Sequence, residues 1–233
     1  MSWRVEFIDS EKIWSNFLQN HAYSSFLQSW AWGNFQSLGL GKNIFCLGIF
    51  EKEILVGVCL AIEEISRFGK FVYCPRGPVI DWSNAKLVNG VLRVLIDFFQ
   101  KQNYFQLRLD PALLQEDQEK SKIFDQLNFI PAVKAIQVER AWVLDIENKT
   151  EDELLRGMRK NTRYYVKKGQ KNGLQVRFSS DPEDLEDFVK MLQETAKRKG
   201  FLLFDERYLR REFECLAPTD IVKLAVAEYE GEK

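Results

Sequence analysis

The chain opens the same way twice, and this constrains its fold more than any other feature. Val5-Glu6-Phe7 begins an extended segment, and a helical one follows with Glu11, Ile13, Phe17 and Leu18. Val176-Arg177-Phe178 begins a second extended segment, with Asp181 and Pro182 at a helix start and Leu185, Phe188, Val189 and Leu192 at helical spacing. Each opening continues into a second helix. Residues 29–39 form it in the first copy, and Asp205 to Pro218 bracket it in the second. Each then runs into a strand and a tight charged turn, near residue 53 and near Lys233. Self-similarity of this kind predicts one supersecondary unit used twice.

Only the first copy continues. Ile54–Ile62 reads as a returning hairpin strand, 70–74 as a third strand, and 84–102 as a long amphipathic helix. A buried strand over 104–111, a helix over 121–128 and a closing strand over 138–147 complete it. The expected organisation is a first domain at 1–148, a connecting basic helix at 149–175, and the start of a second domain at 176–233. The second copy would need about as many further residues as separate Phe50 from Ile146, so the sequence reads as a piece of a longer protein. An unpaired strand edge at Glu230-Gly231-Glu232 carries the same expectation.

Residues 156–171 hold seven basic side chains and no acidic one, in a chain whose formal net charge is −1. Thr150 with Glu153 three residues on is a capping-box pattern, and Asn172-Gly173 is a stop. The spacing predicts one helix with Arg156, Lys160, Arg163, Lys167 and Lys171 on a cationic face. Leu154, Met158, Thr162, Tyr165 and Gly169 would lie opposite. Solvated helices usually interleave both signs. A stripe of one sign points to an anionic, phosphorylated partner.

Several chemistries are excluded. No apolar run of about 18 residues indicates a transmembrane helix, and the first residues do not read as a signal peptide. The four cysteines fit no zinc spacing and read as reduced core residues of a cytoplasmic protein. The one histidine, His21, lies in a polar turn, so no multi-histidine metal site is expected. No phosphate-loop or dinucleotide motif is present. The remaining means are carboxylates, lysine, tyrosine, backbone dipoles and the substrate itself.

The element order resembles the GNAT acyltransferase fold: α+β, a mixed sheet flanked by helices, one complete copy plus a truncated second. Particular residues resemble the FemABX family more narrowly. They are Gln28-Ser29-Trp30-Ala31-Trp32, Arg76-Gly77-Pro78-Val79, Leu107-Arg108-Leu109-Asp110-Pro111, then Trp142, Leu144 and Asp145 before Arg159-Lys160-Asn161-Thr162-Arg163-Tyr164. Glu194-Thr195 before Arg198 and Phe201 completes the set. Members of that family are similar to two GNAT domains in tandem. They move an amino acid from aminoacyl-tRNA to the stem peptide of a peptidoglycan precursor, forming the interpeptide bridge in cell-wall synthesis.

The resemblance implies aminoacyl-tRNA as donor substrate rather than any bound cofactor, and a nucleotide- or lipid-linked precursor as acceptor. It also implies action in the cytoplasm, peripheral at the inner membrane surface. Asp110 would orient or deprotonate the attacking amine, or cap the helix that follows. Arg159, Lys160, Arg163 and Lys167 would hold phosphates, and Tyr164 would stack on a base. Arg76 would bind phosphate or loop carbonyls, and Trp32 would line the site or the core. Where the family often has a lysine facing the precursor's phosphates, this chain has Gln36. That removes one charge-assisted contact, worth roughly 1.5–3 kcal/mol.

Two alternatives remain. An acetyl-CoA-dependent N-acetyltransferase would need backbone N–H groups at a helix start to cradle pyrophosphate. Pro75 and Pro78 flank the single glycine of that segment and lack such groups. A non-catalytic RNA-binding module is opposed by the pI of about 6.0.

Overall fold

Alternating apolar residues between turn signals build a sheet over the first part of the chain. The computed structural model describes residues 3–113, 118–138, 140 and 142–232. The chain divides into two compact units, residues 1–137 and 138–233.

In the first unit, β1 (Trp3–Phe7), β2 (Ile44–Glu51), β3 (Ile54–Ser66) and β4 (Gly69–Arg76) pair antiparallel in that order. β5 (Val79–Ile80) returns to pair with β3, and β6 (Leu107–Pro111) lies parallel to β4. The sheet places Leu47, Ile49, Cys59, Ala61, Val72 and Cys74 on one face. There they pack against Val88, Val91, Leu92, Leu95 and Phe99 of α3 (Ala85–Lys101). Gly90 lets α3 approach β1, since a Cβ there would lie 2.3 Å from the Trp3 ring. α4 (Gln118–Gln126) adds Ile123 to the same core.

The opposite face carries Val58, Leu60 and Ile62, under α1 (Glu11–Gln19) and α2 (Trp30–Asn34). Ser10 and Ser29 cap these helices through their side chains. α2 runs on into one π-helical stretch, Phe35–Gly39. β3 and β4 stay paired only from Ser66↔Gly69 to Ile62↔Tyr73. Beyond that, the buried Gln28 amide fills the gap. It accepts from Leu60 N at 2.8 Å and donates to Leu60 O at 3.0 Å and Pro75 O at 2.7 Å. A side chain thus stands in for the missing ladder bonds.

In the second unit, β7 (Gln175–Ser179) pairs antiparallel with β8 (Leu224–Glu228). Between them run α7 (Pro182–Lys199) and α8 (Glu206–Leu216), capped by Asp181 and Asp205. The order β7–α7–α8–β8 repeats β1–α1–α2–β2, with first and last strands antiparallel in both, as the duplicated opening predicts. Its small core is Leu185, Val189, Phe213 and Ala217. Val176 and Phe178 on β7 are exposed.

Three expectations need correction. The basic segment is two helices, α5 (Glu151–Gly157) and α6 (Lys160–Lys171), because Met158 and Arg159 take extended backbone at ψ 150° and 148°. The strand expected over 138–147 does not form among its described residues, where Trp142, Val143, Leu144 and Ile146 are exposed; Glu139 and Ala141 lie outside the described residues. The strand expected to be buried, β6, is only half-buried along its length.

Candidate active site

Parallel pairing of β4 with β6 sets the geometry of the site. The register places Tyr73 beside Arg108 and Pro75 beside Asp110. Side chains alternate across a strand, so Tyr73, Arg108 and Asp110 share one face while Val72, Cys74, Leu107 and Leu109 enter the core under α3. The result is a polar cluster at the C-terminal end of β6.

The Tyr73 hydroxyl donates to Asp110 Oδ2 at 3.0 Å. Arg76 Nη1 lies 3.5 Å from Asp110 Oδ1, a long charge contact. Arg76 closes β4 with a φ of 53°, and its guanidinium reaches Asp110 on the neighbouring strand β6. The Arg108 guanidinium lies 6.0 Å from the Tyr73 ring centroid, and Arg108 donates to Lys134 O. Burial above all, with Asp110 beside it, pushes the Tyr73 phenol well above its ordinary value, so it remains a donor. Tyr73 is only 5 % exposed. The side chains of Asp110 and Arg76 are 27 % and 24 % exposed, so both can still be reached.

Among the described residues Asp110 caps no helix; it lies within β6. Trp32 and Gln36 are buried. Trp32 sits against Phe26 and Phe35, and its indole Nε1 is buried with no hydrogen-bond partner among the described residues. Asp110 and Arg76 are thus brought together, whereas Trp32 and Gln36 are held in the helical layer. Tyr73 and Arg108 were missed as site residues. Their signal was there: Tyr73 alternates with the apolar Val72 and Cys74, and Arg108 with Leu107 and Leu109.

The cationic residues lie in the other unit, and the break between α5 and α6 sorts them differently from a single helix. Thr150 and Glu153 form the expected capping box at α5. Arg163 does not project freely, since Nη1 donates to Arg156 O at 3.1 Å and Leu155 O at 3.4 Å, the carbonyls that end α5. Arg163, Val166 and Gly169 form the sheltered face of α6, in place of Thr162, Tyr165 and Gly169. Leu174 N closes α6 on Gly169 O at 3.0 Å, with Gly173 at φ 87°. Arg156, Arg159, Lys160, Lys167, Lys168 and Lys171 are exposed, and none makes an ion pair among the described residues. Tyr164 and Tyr165 are exposed at 58 % and 67 %, with ring centroids 5.4 Å apart.

The segment that a nucleotide-cofactor acetyltransferase would use is closed here. Asn84 caps α3 by accepting from Leu87 N at 3.1 Å. Asp81 adds an exposed carboxylate just before that helix start, where it opposes an incoming pyrophosphate. Among the described residues no group of three or more His, Cys, Asp or Glu side chains is placed to hold a metal ion, and all four cysteines are free.

Sheet order and strand polarity define an α+β protein with a mixed sheet flanked by helices. The chain belongs to the FemAB family, whose profile it matches over residues 10–230. It is 28% identical over 202 residues to Aminoacyltransferase FemA of Staphylococcus epidermidis, covering 77% of this chain and 48% of that protein. It is 26% identical over 200 residues to Aminoacyltransferase FemA of Staphylococcus aureus, covering 76% and 47%. The chain therefore spans about half the length of the curated relatives it matches. The crystal structure of FemX shares the fold with a TM-score of 0.78 at 19% identity, over 98% of this chain and 58% of that one.

Proposed function

We propose that the protein containing this chain is an aminoacyltransferase that moves an amino acid from aminoacyl-tRNA to the stem peptide of a peptidoglycan precursor. The relatives named aminoacyltransferases support the reaction class. The observation that carries the chemistry is the Asp110 carboxylate, held at a strand end by Tyr73 and Arg76 yet still open to solvent. Such a group suits direct aminolysis, which needs no covalent nucleophile.

The acceptor amine nitrogen attacks the ester carbonyl carbon, and a C–N bond forms. The nitrogen gives up a proton to Asp110 in this reading. The bond from carbonyl carbon to ribose oxygen breaks, and that oxygen leaves as the tRNA hydroxyl, taking a proton. The Arg76 guanidinium, 3.5 Å from Asp110, is placed to offset the negative charge that develops on the carbonyl oxygen.

The exposed cations of α6 suit a phosphate-bearing ligand, and the Tyr164–Tyr165 pair suits an unstacked base. Both features favour the tRNA acceptor end as their occupant. Among the described residues no helix is long and apolar enough to cross a membrane. The reading places the reaction in the cytoplasm, at the inner membrane surface when the precursor is lipid-linked.

The test uses the full-length protein with a pool of tRNA charged with radiolabelled amino acids. Label should appear on a nucleotide-linked precursor, and should not appear when free amino acids and ATP replace the charged tRNA. Salt-dependent tRNA binding without transfer would leave only a binding role and reject the reading.

A further inference from the structure

We propose that Tyr73 is a positioning residue for Asp110, fixing which carboxylate oxygen meets the substrate amine; this rests on the aminoacyl-transfer reading above. Asp110 has two oxygens and, on a half-buried strand, two roughly equivalent ways to turn them. The Tyr73 hydroxyl takes Oδ2 at 3.0 Å. Among the described residues Oδ1 meets only Arg76 Nη1, in a hydrogen bond stretched to 3.5 Å, longer than the usual N–H···O range. Oδ1 is therefore the oxygen left to accept from an incoming amine.

The placement of Tyr73 is built in. Its neighbours Val72 and Cys74 are anchored in the core, and Tyr73 stands on the opposite face, diagonal to Asp110 in the parallel register. Arg108, its direct cross-strand partner, faces the ring and is itself tied to Lys134 O. The phenol cannot turn away without giving up these partners while buried, which is costly.

Arg76, at a left-handed φ of 53°, stands on the other side of the carboxylate. Asp110 is thus set between a neutral donor and a cation. The neutral donor fixes orientation without cancelling the charge, which remains for the ammonium or the proton it loses. A second cation at Oδ2 would compete with that amine; a phenol does not.

The experiment compares full-length wild type, Tyr73→Phe, Asp110→Asn and the double variant in aminoacyl transfer to a nucleotide-linked precursor. Phenylalanine keeps the ring and its packing and removes only the hydroxyl. Tyr73→Phe should lower kcat by about 10- to 100-fold, the loss of one bond to a charged group, with KM for both substrates within about twofold. The double variant should be no slower than Asp110→Asn alone, because the two residues act through one carboxylate. Full kcat in Tyr73→Phe, or a double variant slowed by the product of the two single effects, would overturn the positioning role and leave the transferase reading standing. A wild type that transfers nothing from charged tRNA would overturn that reading and the positioning role with it.

Discussion

Gln28 reaches across the open end of the β3–β4 pair to Pro75, its Nε2 donating 2.7 Å to the Pro75 carbonyl. Pro75 is the residue before Arg76 and the register partner of Asp110. The start of the α2 helix is therefore fastened to the strand that carries the site. Gly77 follows because nothing larger fits there: a Cβ at 77 would stand 2.7 Å from Gln28 Nε2.

Gln28→Leu keeps much of the side-chain volume and leaves Leu60 N, Leu60 O and Pro75 O without their partner. An unsatisfied buried group costs about 1–3 kcal/mol. The variant should lose about 3–5 kcal/mol in urea unfolding. A loss below about 1 kcal/mol would mean that these carbonyls find water or other partners.

Arg163 and Lys167 carry the same charge and should behave differently. Arg163→Ala frees the carbonyls that end α5 and should lower stability as well as tRNA affinity. Lys167→Ala, exposed and outside any ion pair among the described residues, should leave the melting temperature unchanged. It should reduce the slope of log affinity against log salt by about 1. Equal effects of the two variants on melting and on binding would contradict the division of labour.

Glu63 gives a pH prediction. Its side chain is 8% exposed. Its carboxylate accepts from Tyr104, Lys70 at 3.0 Å and Asn43 at 3.2 Å. The Tyr104 bond, followed by those of Lys70 and Asn43, holds the Glu63 carboxyl below its usual range. A depressed folded value means that the unfolded chain binds this proton first as pH falls. The stabilisation is therefore full above the unfolded value, about 4.3, and is lost as pH drops through the lower folded one. Glu63→Gln should have a lower urea midpoint than wild type at pH 7, and the gap should close toward pH 3. A gap independent of pH would assign the effect to packing alone.

Much of both units was legible because its signals are local. Helix starts at Ser29 and Asn84 in the first unit, and at Asp181 and Asp205 in the second, are set by side chains two or three residues away. The unbroken apolar run Val58–Ile62 follows from burial on both faces. The duplicated opening was legible for the same reason.

What escaped sequence reading depends on register. Nothing local reveals that Tyr73 meets Asp110, since only the parallel pairing of β4 with β6 sets them side by side. Gln28 read as a family landmark, and its part as a substitute for strand pairing needs the divergence of β3 from β4. The basic run misled as one helix because its charge pattern continues smoothly through Met158 and Arg159. The extended backbone there, with Arg163 turned onto the carbonyls of α5, breaks it.

The central claim is tested most directly by offering the full-length protein charged tRNA and acetyl-CoA together with a nucleotide-linked precursor and weighing the product. The account predicts a mass gain of one aminoacyl residue, abolished by ribonuclease and strongly reduced in Asp110→Asn. A gain of one acetyl group, insensitive to ribonuclease, would contradict it.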